Sequence, residues 1–221
     1  LLDYFGGKGE RPKEEEAYRT IMQLAANSRI ENCLVHRDVI DAMFRQVYST
    51  ETKPFKENAV GKGASIRAAD YDLGRVGYAY FDNDTANYYI SAGGNRVVWN
   101  KGRTYRNDGV DIRQSNSTTA DDVFVSDMEK GEWLQYTVQA PAKGTYTVLL
   151  EVSSADANGK LAFAVDETSL SRQAPVPNTG GIENWQRVKV ERIPLKAGQN
   201  RLRVKAVEGV FSFRSMQFSK N

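Results

Sequence analysis

The sequence predicts a mainly β protein, an antiparallel β-sandwich preceded by a small N-terminal helical segment. In residues 1–60, apolar side chains recur at the three- and four-residue spacing of helices. From Ala64 onward, short alternating runs are separated by Gly, Asn, Asp and Pro, which is typical of short strands joined by turns. The chain has 221 residues, of which 40% are hydrophobic and 26% charged. It can therefore bury a core without disulfides or metals.

Two helices are predicted in the N-terminal segment. The first begins at residues 14–16, three glutamates that the positive end of the helix dipole favours, and it ends at Asn27. Residues 30–35 form a short apolar stretch that fits either a strand or a turn. A second apolar face at helical spacing predicts a helix over about residues 36–48.

Residues 49–63 combine Pro, Lys, Glu and Gly with little apolar content, which predicts a linker or a strap across a surface. Farther along, residues 132–138 alternate polar and apolar side chains, as a half-buried strand does. Many short strands at such spacing predict an antiparallel sandwich. The predicted strands lie near residues 66–69, 76–81, 110–113, 132–139, 144–152, 161–166, 185–193, 199–207 and 210–218.

Composition excludes several classes of function. The net charge is +2, from 30 basic and 28 acidic residues, so we expect no nucleic-acid partner. No run of eighteen apolar residues occurs, so we expect no membrane span. The single Cys33 excludes an internal disulfide and any cysteine-cluster metal site, and the single His36 excludes a two-histidine metal site. The start lacks both an initiator Met and a signal-peptide layout, so we expect the chain to be a fragment.

Several ordered segments between about residues 66 and 218 carry a family resemblance. They are Ile66–Tyr71, Gly77–Asp82, Tyr105–Ile112, Gly131–Val138, Ala142–Val148, Pro177–Gly181 with Trp185-Gln186, and Phe211–Phe218. With this set the chain resembles a family 6 carbohydrate-binding module, a β-sandwich of jelly-roll type. The resemblance implies a binding module over residues 64–221.

The resemblance also implies a function. Modules of this family are usually non-catalytic and hold an attached glycoside hydrolase on a polysaccharide. Residues 1–60 would be the helical tail of a preceding catalytic domain plus a linker. The Gly77–Asp82 segment and the Tyr88–Gly102 insertion are similar to modules of agar-degrading enzymes. We therefore expect an agar-type galactan or another plant or algal β-glycan as ligand. The chain's own catalytic domain would be its other partner, in a secreted or cell-surface bacterial protein.

Sugar binding needs a flat aromatic ring for the C–H face of the sugar and polar side chains for its hydroxyls. In the family these groups lie on loops at one end of the sandwich. The resemblance places the first aromatic at Tyr105 and the acidic residue at Asp82. Ile182 stands where the second aromatic is normally a Trp, and Ser212 stands where the family has an Asn. The sequence thus departs from the family pattern at two of these positions.

Other aromatic residues offer a shifted site. The Tyr88–Gly102 insertion contains Trp99 and Tyr88, which either contact the ligand or pack the loop onto the sandwich. Trp133 and Trp185 occupy strand patterns and are predicted to belong to the core.

The family often carries a structural calcium, whose usual ligands are a Gln, a Glu and a further acid. Those positions are here Arg67, Ala69 and Arg214. Calcium requires several oxygen ligands, most of them charged, and two arginines oppose it. We therefore predict no cofactor, with the guanidinium groups paired to nearby carboxylates or carbonyls.

Two alternative functions remain open. The chain could be an accessory sandwich without sugar binding that only packs on its catalytic domain, which the changes at Ile182 and Ser212 favour. It could also be a fragment of a glycosidase, which needs two carboxylates about 5–10 Å apart. Candidates for that pair are Asp82, Glu132 and Asp127. The preferred interpretation is that this chain is not an enzyme, within a parent polypeptide that is a glycoside hydrolase.

Overall fold

The computed structural model describes residues 2–61, 63–84, 104–106, 108–116, 122–155, 159–166 and 172–221. The chain divides into two compact units, Leu1–Arg37 and Asp38–Asn221. The first unit contains helix α1 (Leu2–Phe5), helix α2 (Glu14–Asn27) and a 3₁₀ turn at Ile30–Asn32. Helix α2 confirms the first helix prediction. In the described residues, no helix is both long and apolar enough to cross a membrane.

The second unit is a sandwich of two six-stranded sheets, with helix α3 (Arg37–Phe44) starting at the boundary. The strands of the first sheet are β1 (Asn58–Ala59), β3 (Tyr80–Phe81), β6 (Trp133–Ala140), β8 (Gly159–Val165), β9 (Arg172–Val176) and β11 (Gly198–Glu208). Those of the second sheet are β2 (Ser65–Arg67), β4 (Ile112–Gln114), β5 (Val123–Met128), β7 (Gly144–Ser153), β10 (Gln186–Leu195) and β12 (Phe211–Lys220).

The first sheet has the order β1-β6-β11-β8-β9, with β3 also on β6, and the second has the order β10-β7-β12-β5-β4, with β2 also on β12. Pairing between these strands is antiparallel except between β1 and β6. The predicted mainly β sandwich is therefore confirmed.

The core lies between the two sheets and follows the two-residue period of the strands. On β6 the inward side chains are Leu134, Tyr136 and Val138, all buried. Trp133 is in the opposite phase and is only half-buried, as is Trp185 just before β10. The prediction that these two tryptophans belong to the core is wrong, because each stands out of phase with the buried apolar residues of its strand.

Three strands were not predicted, each for a local reason. Strand β5 is buried on both sides for most of its length, so its sequence does not alternate. Strand β9 contains Pro175, which normally argues against a strand but is tolerated at the edge of a sheet, where β9 lies. Strand β1 has only two residues within the predicted linker or strap.

Residues 50–60, called the strap below, run along the sandwich. Lys53 forms a backbone bridge with Leu73, and β1 pairs in parallel with Val138 and Gln139 of β6. The chain thus divides at Arg37 rather than within residues 60–64, where composition had placed the boundary. Backbone pairing does not require apolar residues, so the strap gives no compositional signal. The assignment of residues 1–60 to a preceding domain stays a prediction.

Candidate functional site

The Tyr105 ring is surrounded by side chains of the same chain. It lies edge-on to Phe55 of the strap, with ring centroids 5.8 Å apart. The Lys56 ammonium is 5.3 Å from the Tyr105 ring centroid, and the guanidinium carbon of Arg67 is 5.2 Å from it. Its hydroxyl donates to Asp70, and burial raises the pKa of this phenol. A sugar stacking on Tyr105 would therefore compete with two cationic side chains.

Ile182 and Ser212 lie together at a second place. The Ser153 hydroxyl donates to the carbonyl of Ile182, and Ser153 is the register partner of Ser212. Ser212 is buried, whereas Ile182 is 40% exposed. In the described residues, no hydrogen bond or ring contact joins this pair to Tyr105. The pair offers an aliphatic edge without a flat ring, which is a poor surface for stacking.

Asp82 lies at a third place, directly after β3, and is buried. Its carboxylate accepts a hydrogen bond from the Asp84 N–H at 2.9 Å. Burial and the neighbouring charge of Glu132 raise the pKa of Asp82 to about 8. Glu132 accepts from the N–H groups of Asn83 at 3.0 Å and Glu129 at 2.9 Å, so it fixes the turn before β6. The other predicted contacts, Trp99 and Tyr88, fall outside the described residues.

The raised pKa of Asp82 predicts a pH-dependent stability. The folded protein keeps this proton up to about pH 8, whereas the unfolded chain loses it near the ordinary value of 3.8. The folded state therefore binds more protons across this window, and the free energy of unfolding falls as pH rises through it. We expect Asp82→Asn to raise this free energy by about 1–2 kcal/mol at alkaline pH and to change it little in acid.

Urea unfolding followed by tryptophan fluorescence between pH 5 and 9 checks this expectation. Glu57→Gln, at an exposed carboxylate of the strap, is the control and should leave the pH profile unchanged. Parallel profiles for the wild-type protein and Asp82→Asn would contradict the assignment.

The positions of the family's calcium site hold ion pairs instead. Arg67 pairs with Asp70 at 3.3 Å, and Arg214 pairs with Asp122 at 2.7 Å. Ala69 is fully buried and has no side-chain oxygen. In the part of the chain that the structure describes, no group of three or more His, Cys, Asp or Glu residues could hold a metal ion. The residues present do not fit calcium here, because guanidinium groups occupy the places of its ligands.

A surface groove of about 470 Å³ lies on the outer face of the first sheet. At one end, the Arg203 guanidinium carbon stands 4.1 Å from the centroid of the Trp133 ring. Arg203 also donates two hydrogen bonds to the amide oxygen of Gln135, at 3.2 and 3.1 Å, which fix its position. The groove, called the Trp133 groove below, is lined by Lys130, Gly131, Trp133, Ala162, Ala164, Gln173, Arg203, Lys205, Ala206 and Val207.

The register of the first sheet builds this groove. One row of outward side chains crosses five strands in the order Phe81, Trp133, Lys205, Ala162 and Gln173. With strands about 4.8 Å apart, the groove extends about 14 Å from the tryptophan to the glutamine. The small side chain of Ala162 leaves space in the middle of the groove. The row therefore has the Trp133 ring at one end and the Gln173 amide at the other, with the small Ala162 between them. This arrangement suits a sugar chain, which needs an aromatic surface and polar groups.

The sequence contained a signal for this site. Trp133 stands in phase with Gln135 and Thr137, the polar positions of the same alternating strand. A tryptophan in the polar phase faces outward, and an exposed aromatic on a sheet is a candidate ligand contact. By contrast, no local pattern indicates Gln173 or Ala162, because they reach the groove only through strand order.

The comparisons with known proteins agree with this fold. The family model for carbohydrate binding module family 6 matches residues 102–220, more than half of the chain. The module CsCBM6-3 from Clostridium stercorarium, solved with cellobiose, matches with 12% identity and a TM-score of 0.52, over 75% of this chain and 98% of that one. The C-terminal family 6 module of LamC, a marine laminarinase from Zobellia galactanivorans, is 24% identical with a TM-score of 0.45, over 53% of this chain and 92% of that one. Curated proteins give no match. The chain belongs to family 6 of the carbohydrate-binding modules.

Proposed function

We propose that the chain binds an oligo- or polysaccharide in the Trp133 groove and thereby holds an attached glycoside hydrolase on its substrate. The observation that carries the proposal is a partly exposed tryptophan at one end of an open groove on a sheet. A sugar ring placed on Trp133 gains contact between its C–H face and the indole. The amide of Gln173 and the guanidinium of Arg203 can then replace water at the sugar hydroxyls.

The ligand class follows from the family and from its sequence features. An agar-type galactan or another plant or algal β-glycan is the proposed ligand. The structure of CsCBM6-3 with cellobiose, a β-linked glucan disaccharide, supports a β-linked chain. The proposal places the parent hydrolase outside the cell, where such polymers are found, and it includes no calcium at Arg67 and Arg214.

Tyr105 is the alternative binding site for the ligand. Its position in the family pattern favours it, whereas its neighbours Phe55, Lys56 and Arg67 stand where a sugar would approach. Both rings are partly exposed, but that of Trp133 lies in an open groove lined by polar side chains. Both rings have a cationic side chain close by, Arg203 lying 4.1 Å from the Trp133 centroid, so the preference for Trp133 rests on the open groove that it lines.

Two alanine variants separate the two places. Trp133→Ala is expected to weaken binding by about fivefold or more, because a stacked aromatic contributes about 1–3 kcal/mol. Tyr105→Ala is expected to stay within about twofold of the wild-type protein. Calorimetry with agar, xylan, β-1,3-glucan and cellulose oligosaccharides measures both, and modules of this kind bind at roughly 10–1,000 μM.

Circular dichroism of each variant is the control for folding. Loss of binding in Tyr105→Ala alone would move the site to Tyr105. No binding of any oligosaccharide by the folded wild-type protein would overturn the proposal in favour of an accessory domain that only packs on its neighbour.

A further inference from the structure

The Trp133 groove is strongly basic although the whole chain is nearly neutral. Lys130, Arg203 and Lys205 line it, and none of the described residues that line it is acidic. The net charge of the chain is only +2 over 221 residues. Neutral sugars need hydrogen-bonding groups but no net charge, so three cations in one groove require another explanation.

The two lysines of the groove differ from several other lysines of the sandwich, although Lys143 and Lys220 also form no ion pair in the described residues. Lys160, Lys189 and Lys196 each form an ion pair with a neighbouring carboxylate. In the part of the chain that the structure describes, Lys130 and Lys205 form no ion pair. Their charges are therefore available to an anion that enters the groove.

The position of Lys205 relates this charge to the stacking surface. Lys205 is the register partner of Trp133 on the neighbouring strand, and both side chains face outward. Directly opposed residues on an antiparallel pair have Cβ atoms about 5 Å apart. A sugar stacked on Trp133 would thus bring its ring substituents to the Lys205 ammonium. On the other side, the Arg203 guanidinium lies beside the same indole while it donates two hydrogen bonds to Gln135.

We infer that the Trp133 groove selects an anionic glycan, a chain whose sugars carry sulfate or carboxylate groups. This inference rests on the proposed function and specifies its ligand. The indole holds the sugar ring, and the two lysines hold the anionic substituent by charge-assisted hydrogen bonds. The groove would bind the uncharged chain of the same backbone more weakly.

Matched oligosaccharides test this inference. The probes are a sulfated κ-carrageenan tetrasaccharide, the same tetrasaccharide after desulfation as the neutral galactan, and an oligogalacturonate, which carries carboxylates. Calorimetry at about 20 mM and about 200 mM NaCl separates charge from stacking, since salt screens exposed charges. We expect at least one anionic probe to bind about fivefold more tightly than the neutral galactan at low salt, and most of this advantage to disappear at high salt.

Charge-removing variants locate the effect. Lys205→Gln and Lys130→Gln should each weaken binding of the anionic probe by about threefold to fivefold, the range of an exposed ion pair. Both should weaken any binding of the neutral probe by a smaller factor than that of the anionic probe. Lys143→Gln is the matched control, because this exposed lysine lies in the turn at the far end of β6 from Trp133.

Each remaining outcome has a distinct meaning. Equal, Trp133-dependent binding of neutral and anionic probes would overturn the charge inference and leave the proposed function intact. Binding of the anionic probe that survives Trp133→Ala would show a non-specific charge effect and would overturn the inference as well. No binding of any probe by the folded protein would refute both proposals.

Discussion

Replacing Arg106 with methionine is expected to lower the free energy of unfolding by about 3–5 kcal/mol, the cost of breaking a buried ion pair. Arg106 is only 2% exposed. Its guanidinium carbon stands 3.6 Å from the Tyr71 ring centroid and 4.7 Å from that of Phe55. It pairs with Asp108 at 2.8 Å and donates to the backbone carbonyls of Tyr71 and Asp72. Methionine retains much of the volume but leaves these oxygens without their donor.

The measurement is urea unfolding of Arg106→Met beside the wild-type protein. Arg106→Lys keeps the charge but loses the planar fork, so we expect a smaller but clear loss. Arg75→Met, at an exposed position, is the control and should change the free energy of unfolding by less than about 0.5 kcal/mol. An unaltered midpoint in Arg106→Met would contradict the role given to this residue.

Replacing Asp72 with alanine is expected to lower the free energy of unfolding by about 2–4 kcal/mol, because buried donors lose their acceptor. The carboxylate is fully buried. It accepts from the Thr137 N–H at 2.7 Å, from the Thr137 hydroxyl at 2.8 Å and from the Gln135 amide at 3.1 Å. Burial raises the pKa of Asp72 by more than these hydrogen bonds lower it. Asp72→Asn retains one acceptor oxygen and should be milder.

Chemical denaturation gives the size of the Asp72 effect, and amide hydrogen exchange gives its place. The Thr137 N–H should exchange faster in Asp72→Ala than in the wild-type protein. Since the charge of Arg106 lowers the pKa of the Asp72 carboxyl, the two side chains attract each other, and the double variant with Arg106→Met should be less destabilised than the sum of the two changes. Strict additivity would show that the two residues act independently.

The fold could be predicted from the sequence more completely than the site. Alternation in β6 and β11 marks half-buried strands, and such strands in number allow few architectures. The buried β5 lacks alternation, and the two-residue β1 is too short for any pattern. These elements depend on their neighbours in space, which a single sequence does not contain.

The site was harder to predict from the sequence, because its residues come together only through the pairing register of neighbouring strands. Trp133 could have been found from its phase, but its pairing with Lys205 requires knowing that β6 lies beside β11. Tyr105 was placed by family pattern, and nothing in the sequence shows that Phe55, some fifty residues earlier, lies against its ring. Charge was hidden for a similar reason, because a whole-chain sum averages out a local cluster.

The strap has a consequence for the portability of this domain. Phe55 covers one side of Arg106, and β1 extends the first sheet along β6. A graft that begins at Ala64, where the sandwich pattern starts in the sequence, would leave behind both the ring and the strand. A graft that begins at Arg37 would include the strap, and with it Phe55 and β1. Residues that resemble a spacer between two modules thus determine whether one of them can be transferred intact to a new host protein.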